Sequence, residues 1–332
     1  MVDVTVVGAG VVGASVAYHL ARAGVAVTVL ERASGPAAGV TGGSFAWVGN
    51  SGGEWPDGAE DLRAYVHDDF RRLEAEVAGF AVRWTGSLSF SAGSGAAPGP
   101  GQALVGASEI AELEPGWREP PEQAVYTPTD GGVDPVAVVA SLLEAARGHG
   151  AEVVYGAAGG QFLPGALTVL AAGTDTGALC RRAGVNLEVG TSPACLLRVA
   201  APPGVVKTIV AGPRFEVREV RDGELLMTIP YVVGQSADEV GQNAELAVQR
   251  LRSTFDGAAE CRLLGYRVSS RPMPAHGPVV GYVKPDRSLY VAVMHAAVTL
   301  APTVGRLIAE EIVSGEPREE LARCRPGLPK FA

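Results

Sequence analysis

Three glycines near the N-terminus have the type and spacing that can hold a phosphate group, because Gly8, Gly10 and Gly13 form a G-x-G-x-x-G pattern. The first permits a tight exit from a strand, and the second lets a pyrophosphate approach the backbone. The third allows close packing of the following helix, whose free N–H groups and dipole favour negative charge. Glu31 stands roughly 20 positions further on, where a carboxylate can accept hydrogen bonds from ribose hydroxyls. These residues predict the binding of a dinucleotide.

This chemistry needs a strand, a turn, a helix and a second strand in succession. Residues 4–7 predict the first strand, residues 14–23 the helix and residues 26–30 the second strand. A glycine-rich turn without a ligand is the alternative, and the complete context disfavours it.

Similar elements return later in the chain. Asp134 and Pro135 predict the start of a helix over 136–147, as N-cap and first-turn proline. A further strand is predicted at 152–155, and buried strands are predicted at 167–171 and 289–293. This order is typical of an α/β protein whose parallel sheet is interrupted by an inserted domain.

The inserted part has a different pattern. Residues 199–231 alternate as antiparallel strands do, with Asp222-Gly223 as a hairpin turn. Helices are predicted over 61–77, 108–113 (with Ser108 as N-cap), 180–183 and 237–255, and a strand over 82–90. Near the end of the chain, a turn-rich segment is predicted over 271–277 and a loop over 294–301. A last helix is predicted from Pro302 to Ile312. The helix that begins at Pro302 would supply a second dipole for an electron-rich ligand.

Composition excludes several classes of protein. The net charge of −9 and the absence of a basic stripe argue against a nucleic-acid partner. No stretch is long and apolar enough to span a membrane, and the N-terminus lacks the basic start of a signal peptide. The 4 cysteines have no CxxC spacing, so we expect reduced thiols, no metal site and a cytoplasmic location.

The chain resembles the FAD-dependent amino acid oxidase family, which holds glycine oxidase, sarcosine oxidase and D-amino acid oxidases. The matching stretches lie in family order along nearly the whole chain: Val6 to Gly13, Leu30-Glu31-Arg32, Thr85 to Leu88, Glu112 to Pro115, Asp130 to Pro135, Val169 to Gly173, Arg271-Pro272 and Leu300 to Ala309. Together they are specific, whereas singly only the first and the last are.

The resemblance implies a Rossmann-like, glutathione-reductase-like FAD-binding domain interrupted by an α+β substrate domain with an antiparallel sheet. The FAD-binding domain would comprise residues 1–44, 127–185 and 284–332. The substrate-binding domain would comprise residues 45–126 and 186–283.

The resemblance also implies a reaction. An amine next to a carboxylate would be oxidised by hydride transfer to flavin N5, giving an imine that water hydrolyses, with O2 or another electron acceptor to follow. The flavin could be covalent or non-covalent, and the chain could associate with copies of itself or with a partner subunit. Two alternatives stay open: an FAD-binding protein whose amine oxidation is diverted or lost, and an NAD(P)-linked dehydrogenase.

By motif match, Arg271 corresponds to the family arginine that clamps the substrate carboxylate, and a guanidinium fork suits that role. A structural arginine paired with an acid is the alternative. His295 occupies the loop that passes close to the flavin, as a site residue or as an ordinary core histidine. The implied cofactor-binding residues are Gly8, Gly10, Val11, Val12, Gly13, Glu31, Arg32, Gly42, Gly43, Ser44, Ala172, Gly173, Ala297, Val298, Thr299 and Leu300.

Three departures from the family pattern bear on activity. His276 stands where Asp is usual before Gly277, and Ala297 stands where the flavin-facing loop usually has Gly. Residues 156–165 are shorter than usual, which predicts a trimmed sheet on the FAD domain. No cysteine lies in or next to residues 271–276, so the cysteine-linked flavin of some sarcosine oxidases is not supported.

Overall fold

The computed structural model describes residues 3–51, 55–91, 97–157 and 167–327 of the 332-residue chain. The trimmed sheet predicted at 156–165 lies mostly outside the described residues. In chain order, the strands are β1 (Val4–Val7), β2 (Val27–Glu31), β3 (Trp47–Val48), β4 (Val82–Arg83), β5 (Ser87–Ser89), β6 (Ala103–Gly106), β7 (Gln123–Thr127), β8 (Gly131–Val133), β9 (Glu152–Tyr155), β10 (Leu167–Leu170), β11 (Gly190–Ala200), β12 (Ile209–Ala211), β13 (Glu216–Arg221), β14 (Glu224–Ile229), β15 (Arg262–Met273), β16 (Val279–Tyr282) and β17 (Leu289–Val293).

The α-helices are α1 (Val11–Arg22), α2 (Ala59–Leu62), α3 (Val66–Glu76), α4 (Ala107–Leu113), α5 (Pro135–Gly148), α6 (Thr176–Arg182), α7 (Ala237–Thr254) and α8 (Ala297–Ser314). Short 3-10 turns lie at Val40–Gly43, Arg63–Tyr65, Gly173–Asp175, Ala258–Glu260 and Glu319–Cys324. None of the described helices combines the length and apolar character that crossing a bilayer requires.

The predicted parallel sheet is confirmed. Its order is β16-β17-β10-β1-β2-β9, and every neighbouring pair is parallel except β16 with β17. β1 is buried along its whole length, and α5 begins as predicted, with the Asp134 carboxylate accepting from the backbone of Val136 and Ala137. Helices cover this sheet, so its strands read as apolar runs.

Helices α1 and α8 pack closely, and this brings their starts together. The Ser15 hydroxyl on α1 donates to the carbonyl oxygen of Ala301 on α8 at 2.7 Å. A Cβ on Gly305 would lie only 2.1 Å from Ser15 Oγ, so this approach requires glycine. Asp69 on α3 fixes the other side of α8, because its carboxylate accepts two hydrogen bonds from Arg306, at 2.8 and 3.0 Å.

A separate, mostly antiparallel sheet has the order β15-β11-β14-β13-β12-β5-β7-β6, with β12 and β5 parallel. Helix α7 packs on one face, where Ala244, Val248 and Leu251 contribute to a core shared with Leu197 and Val199. On the opposite face, Leu196, Ile209 and Leu226 form a small core with Phe45 and Trp47. A third, three-stranded sheet, β3-β8-β4, contacts β13 through the Arg218 side chain and α8 through the Thr299 hydroxyl.

Several predicted elements have different bounds in the structure. α1 begins at Val11 instead of residue 14, because both valines after Gly10 are buried and join the first turn. The helix predicted over 61–77 is broken into α2, a 3-10 turn and α3. The strand predicted over 82–90 becomes β4 and β5 in different sheets, since Gly86 adopts a left-handed φ of 72° between them.

Other predictions were wrong at helix starts. Ser108 is not the N-cap of α4; Gly106 is, and its N–H donates to Glu109 at 2.9 Å. α6 begins at Thr176 and not at 180. Most importantly, α8 begins at Ala297 and contains Pro302, where a loop followed by a helix start at Pro302 was predicted.

The long strands β11 and β15 were missed. Both contain proline and glycine, which read as turns in a sequence, yet the two strands pair along their lengths. Arg271 therefore lies near the end of an edge strand instead of in a turn-rich segment.

Candidate active site

A cavity of about 380 Å³ lies at the carboxyl ends of the parallel strands, which is where open α/β sheets bind ligands. Gly8, Gly10 and Val12 line it from the first turn, and Ala172 and Gly173 line it after β10. Ala297, the first residue of α8, lines the same cavity. The starts of two helices far apart in the chain therefore face one space.

The backbone geometry at the three glycines agrees with the predicted strand–turn–helix unit. A Cβ on Gly13 would lie 1.9 Å from the Gly8 carbonyl oxygen, so glycine is needed where α1 crosses the turn. Gly8 has a left-handed φ of 109°, and its Cβ would lie 2.6 Å from the Ala171 oxygen. At Gly10 a Cβ would meet a single neighbour within 4 Å, Thr41 Oγ1 at 3.2 Å, so the Gly10 backbone is open toward the cavity.

The Glu31 carboxylate is held at the end of β2. Its Oε2 accepts from the Ala9 backbone N–H and its Oε1 from that of Ala33, both at 2.8 Å. Each oxygen keeps a second acceptor site for a hydroxyl. Next to it, Arg32 forms an ion pair with Asp175 at 2.9 Å, and both residues line the cavity.

A second cavity, of about 670 Å³, adjoins the first. The residues that line both cavities are Val11, Val40, Thr41, Pro272, Met294 and Ala297. The two spaces therefore form one continuous site that runs from the glycine-rich turn to the antiparallel sheet. Thr41 lies at the junction, where its hydroxyl oxygen accepts from the Val11 N–H at 3.2 Å.

The face of the antiparallel sheet opposite α7 forms one wall of the second cavity. Arg271 on β15 pairs with Ser192 on β11, and its Nη2 donates to the Ser192 hydroxyl at 2.8 Å. Glu216 on β13 pairs with Thr228 on β14 and accepts from the Thr228 hydroxyl at 2.9 Å. Arg214 lines the same cavity from the turn that precedes β13.

The start of α8 forms the opposite wall. His295, Ala296 and Ala297 line the second cavity, and Ala296 is the N-cap residue, with no side chain to bond the helix N–H groups. Ala296 has a φ of 54°, a left-handed conformation that alanine adopts only at a cost. The first N–H groups of α8 therefore remain donors for a ligand.

The segment between the two walls, Phe45 to Trp47, is fixed from three sides. Arg218 is 2% exposed, and its guanidinium donates to the carbonyl oxygens of Phe45, at 2.6 and 2.8 Å, and of Val133, at 2.5 Å. Burial lowers the pKa of Arg218 to about 9. The Thr299 hydroxyl of α8 donates to the Trp47 carbonyl oxygen at 2.8 Å.

A buried carboxyl group holds the indole of this segment. Asp130 is 2% exposed, and its Oδ2 accepts from Trp47 Nε1 at 2.9 Å and from the Ser87 hydroxyl at 2.7 Å. Among the described residues, Oδ1 has no hydrogen-bond partner. Burial, opposed by these two hydrogen bonds, raises the pKa of Asp130 to about 6.

The structure brings most of the residues expected to bind the cofactor to this site. The first cavity is lined by Gly8, Gly10, Val11, Val12, Glu31, Arg32, Ala172, Gly173 and Ala297. The second is lined by Gly43, Ser44, Val298 and Thr299, with Arg271 and His295. Gly13, Gly42 and Leu300 line neither: Gly13 packs on the turn, Gly42 lies beside the Ala37 carbonyl and Leu300 is buried in the core.

Sequence reasoning missed Thr41, Arg214, Glu216, Thr228 and Arg218. Each lies in a loop or strand whose side-chain direction depends on pairing that the sequence does not display. The alternation in β13 indicates that every second residue lies on the same face of the sheet, but it does not indicate which face lines a cavity.

The donor groups and the shape of the site fit FAD: a glycine turn open to a pyrophosphate, a carboxylate placed for a ribose, and a second helix start beside an adjoining space. The family model of FAD-dependent oxidoreductases (DAO) matches residues 3–311, so the chain belongs to this family and is an FAD-dependent oxidoreductase. A curated relative, the uncharacterized oxidoreductase YurR of Bacillus subtilis, is 24% identical over 97% of both chains.

Solved structures share the fold. Glycine oxidase from Geobacillus kaustophilus is 20% identical, with a TM-score of 0.82 over 100% of this chain and 99% of its own. An L-amino acid deaminase from Proteus vulgaris, with its specific insertion sequence deleted, is 17% identical, with a TM-score of 0.82 over 98% and 93%.

Proposed function

We propose that the protein oxidises the C–N bond of a small amino acid or a related amine to an imine. The observation that carries this proposal is the position of Arg271, whose guanidinium lines a cavity continuous with the one beside the glycine-rich turn. Bound FAD supplies the hydride acceptor. The residues of the chain then have to bind the substrate, orient it and exclude water.

Arg271 would clamp the substrate carboxylate. Its donation to the Ser192 hydroxyl orients the guanidinium, and no described carboxylate forms an ion pair with it. A planar fork bound to a carboxylate fixes the direction of the α-carbon. His295 would shape the wall at the start of α8, and Val298 and Thr299 would present backbone there to the cofactor.

The proposal includes the two domains. Residues 1–44, 127–185 and 284–332 would bind FAD, and residues 45–126 and 186–283 would bind the substrate. Glycine oxidase and L-amino acid deaminase, whose names describe amino acid chemistry, support this assignment by their shared fold. A cytoplasmic location is part of the proposal, in keeping with four cysteines that are all buried.

The experiment is anaerobic mixing of the FAD-loaded protein with glycine, sarcosine, proline and D-amino acids. Loss of the yellow flavin absorbance with at least one amine is expected, and admission of air then shows whether O2 accepts the electrons. The Arg271→Gln variant should lose reduction, while Arg262→Gln, an exposed arginine on the same strand, should retain it.

A second candidate function is an FAD-binding protein with diverted or lost amine oxidation. Ala296 in a left-handed conformation and Ala297 in place of the family glycine favour it, because both alter the wall beside the cofactor. A flavin that dithionite bleaches and that every amine leaves yellow would support this candidate and contradict the first.

A further inference from the structure

Two arginines line the second cavity, although a single substrate carboxylate needs only one guanidinium group to bind it. Arg214 and Arg271 both line it. Among the described residues, neither forms an ion pair, and Arg214 has no hydrogen-bond partner. An arginine without an acidic partner beside a cavity is available to an anionic ligand.

The sheet fixes the positions of these two arginines. Arg271 lies on β15 and Arg214 just before β13, and β11 and β14 lie between these strands. Three strand spacings separate their backbones by about 14 Å across the sheet. Long side chains that reach into one cavity from this separation can hold the two ends of one small molecule.

A backbone hydrogen bond and a contact with an aromatic ring hold the turn that carries Arg214. The Gly212 N–H donates to the Phe215 carbonyl oxygen at 3.0 Å and closes the turn. The same glycine lies on the Phe90 ring, where a Cβ would approach to 2.4 Å. The side chain of Arg214 therefore extends from a backbone that these contacts hold in one position.

The charged side chains that line the cavity favour a ligand whose net charge is −1. Two arginines face one carboxylate, that of Glu216, which the Thr228 hydroxyl holds in place. An amino acid with a single carboxylate is a neutral zwitterion, whereas one with a second acidic group carries a net negative charge. Glu216 is placed to attract the amine and the arginines to attract the two acids.

We infer that the substrate is an amine that carries two acidic groups, with Arg271 on the carboxylate next to the amine and Arg214 on the second. This inference rests on the proposed function and specifies its substrate class. Arg214 becomes a specificity-determining residue of the site.

The test compares matched ligands that differ in one charge. Glutarate and butyrate are titrated separately into the FAD-loaded protein, and binding is followed by the change in the flavin spectrum. Glutarate should bind at least about 10-fold more tightly, because it gains a second charge-assisted interaction. Equal affinities would overturn the inference, and this measurement needs no variant.

Variants then assign the second charge. Arg214→Gln should weaken glutarate about 10- to 100-fold and leave butyrate within about 3-fold, whereas Arg262→Gln should change neither. Glu216→Gln removes the one negative group and should tighten glutarate. If Arg214→Gln weakens both ligands equally, or neither, Arg214 is not the second anion site.

The failures of the inference and of the proposed function can be distinguished. If sarcosine reduces the flavin as fast as amino acids with a second acidic group do, and glutarate binds no more tightly than butyrate, the inference fails and amine oxidation stands. If glutarate binds as expected and no amine reduces the flavin, amine oxidation fails and the site remains one for a dianionic ligand.

Discussion

The buried carboxyl group of Asp130 makes the protein less stable as the pH rises, whereas a carboxylate in an ion pair makes a protein less stable as the pH falls. Burial raises its pKa to about 6 from an ordinary 3.8, so the folded chain binds this proton more tightly than the unfolded chain. Stability from this group is therefore fully present below pH 3.8 and is lost as the pH rises toward 6.

The full difference between these pKa values corresponds to about 3 kcal/mol. Between pH 5 and pH 8 the folded protein should lose about 1.4 kcal/mol of it, because part of the change already lies below pH 5. Asp130→Asn removes the proton and keeps an oxygen that can accept from Trp47 and Ser87.

The assay is urea unfolding of the FAD-loaded native protein and the Asp130→Asn variant at pH 5 and pH 8, followed by tryptophan fluorescence. The variant should gain about 1.4 kcal/mol relative to the native protein when the pH changes from 5 to 8. An equal difference at the two pH values would refute the reasoning, since it would mean that Asp130 does not titrate in this range.

Three other substitutions test separate parts of the structure. Burial lowers the pKa of His19 to about 3, so between pH 7 and pH 5 only the unfolded chain takes up this proton and the folded protein loses stability. His19→Gln should reduce that loss by about 2 kcal/mol. Identical pH profiles of the two proteins in calorimetry would contradict this. Gly13→Ala should lower the free energy of unfolding by at least about 3 kcal/mol and abolish FAD retention, because the new Cβ would lie 1.9 Å from a carbonyl oxygen. Gly148→Ala is the control: its Cβ would have no neighbour within 4 Å, so neither stability nor FAD retention should fall. Arg218→Met should cost about 3 kcal/mol in urea unfolding by leaving carbonyl groups without donors, and a loss under about 1 kcal/mol would show that they find other partners.

The sequence predicted the first strand–turn–helix–strand unit well because glycine requirements there are local. Gly13 packs on the backbone of Gly8, only five residues away, so the spacing of these two glycines alone indicates the geometry. Gly8 also lies against Ala171, a distant contact that the sequence does not display. The start of α5 was predicted from the Asp134 cap and Pro135, and β17 from the apolar run at 289–293, because these signals also lie in short stretches.

The start of α8 shows why other parts were not predictable. Pro302 is usual in a first turn, so a helix start there was reasonable. The helix extends back to Ala297 because Leu300 and Ala301 are buried against α1, a contact between residues almost the whole chain apart. Tertiary packing overrode the local signal.

The wall that the antiparallel sheet contributes to the second cavity was not predictable from the sequence, for a related reason. Arg214, Glu216 and Arg271 share one cavity because β15, β11, β14 and β13 are neighbours in the sheet. Strand order is set by long-range pairing, and β15 and nearly all of β11 were not predicted as strands. Arg271 was found by its motif and not by its position.

The central claim is that two helix starts, α1 and α8, contact one FAD molecule. Hydrogen–deuterium exchange of the apoprotein, with and without added FAD, tests it most directly through the backbone amides of residues 9–13 and 296–300. We expect FAD to slow exchange in both segments together, with one equivalent of FAD sufficient for the full effect. Protection of the first segment with unchanged exchange in the second would contradict the claim.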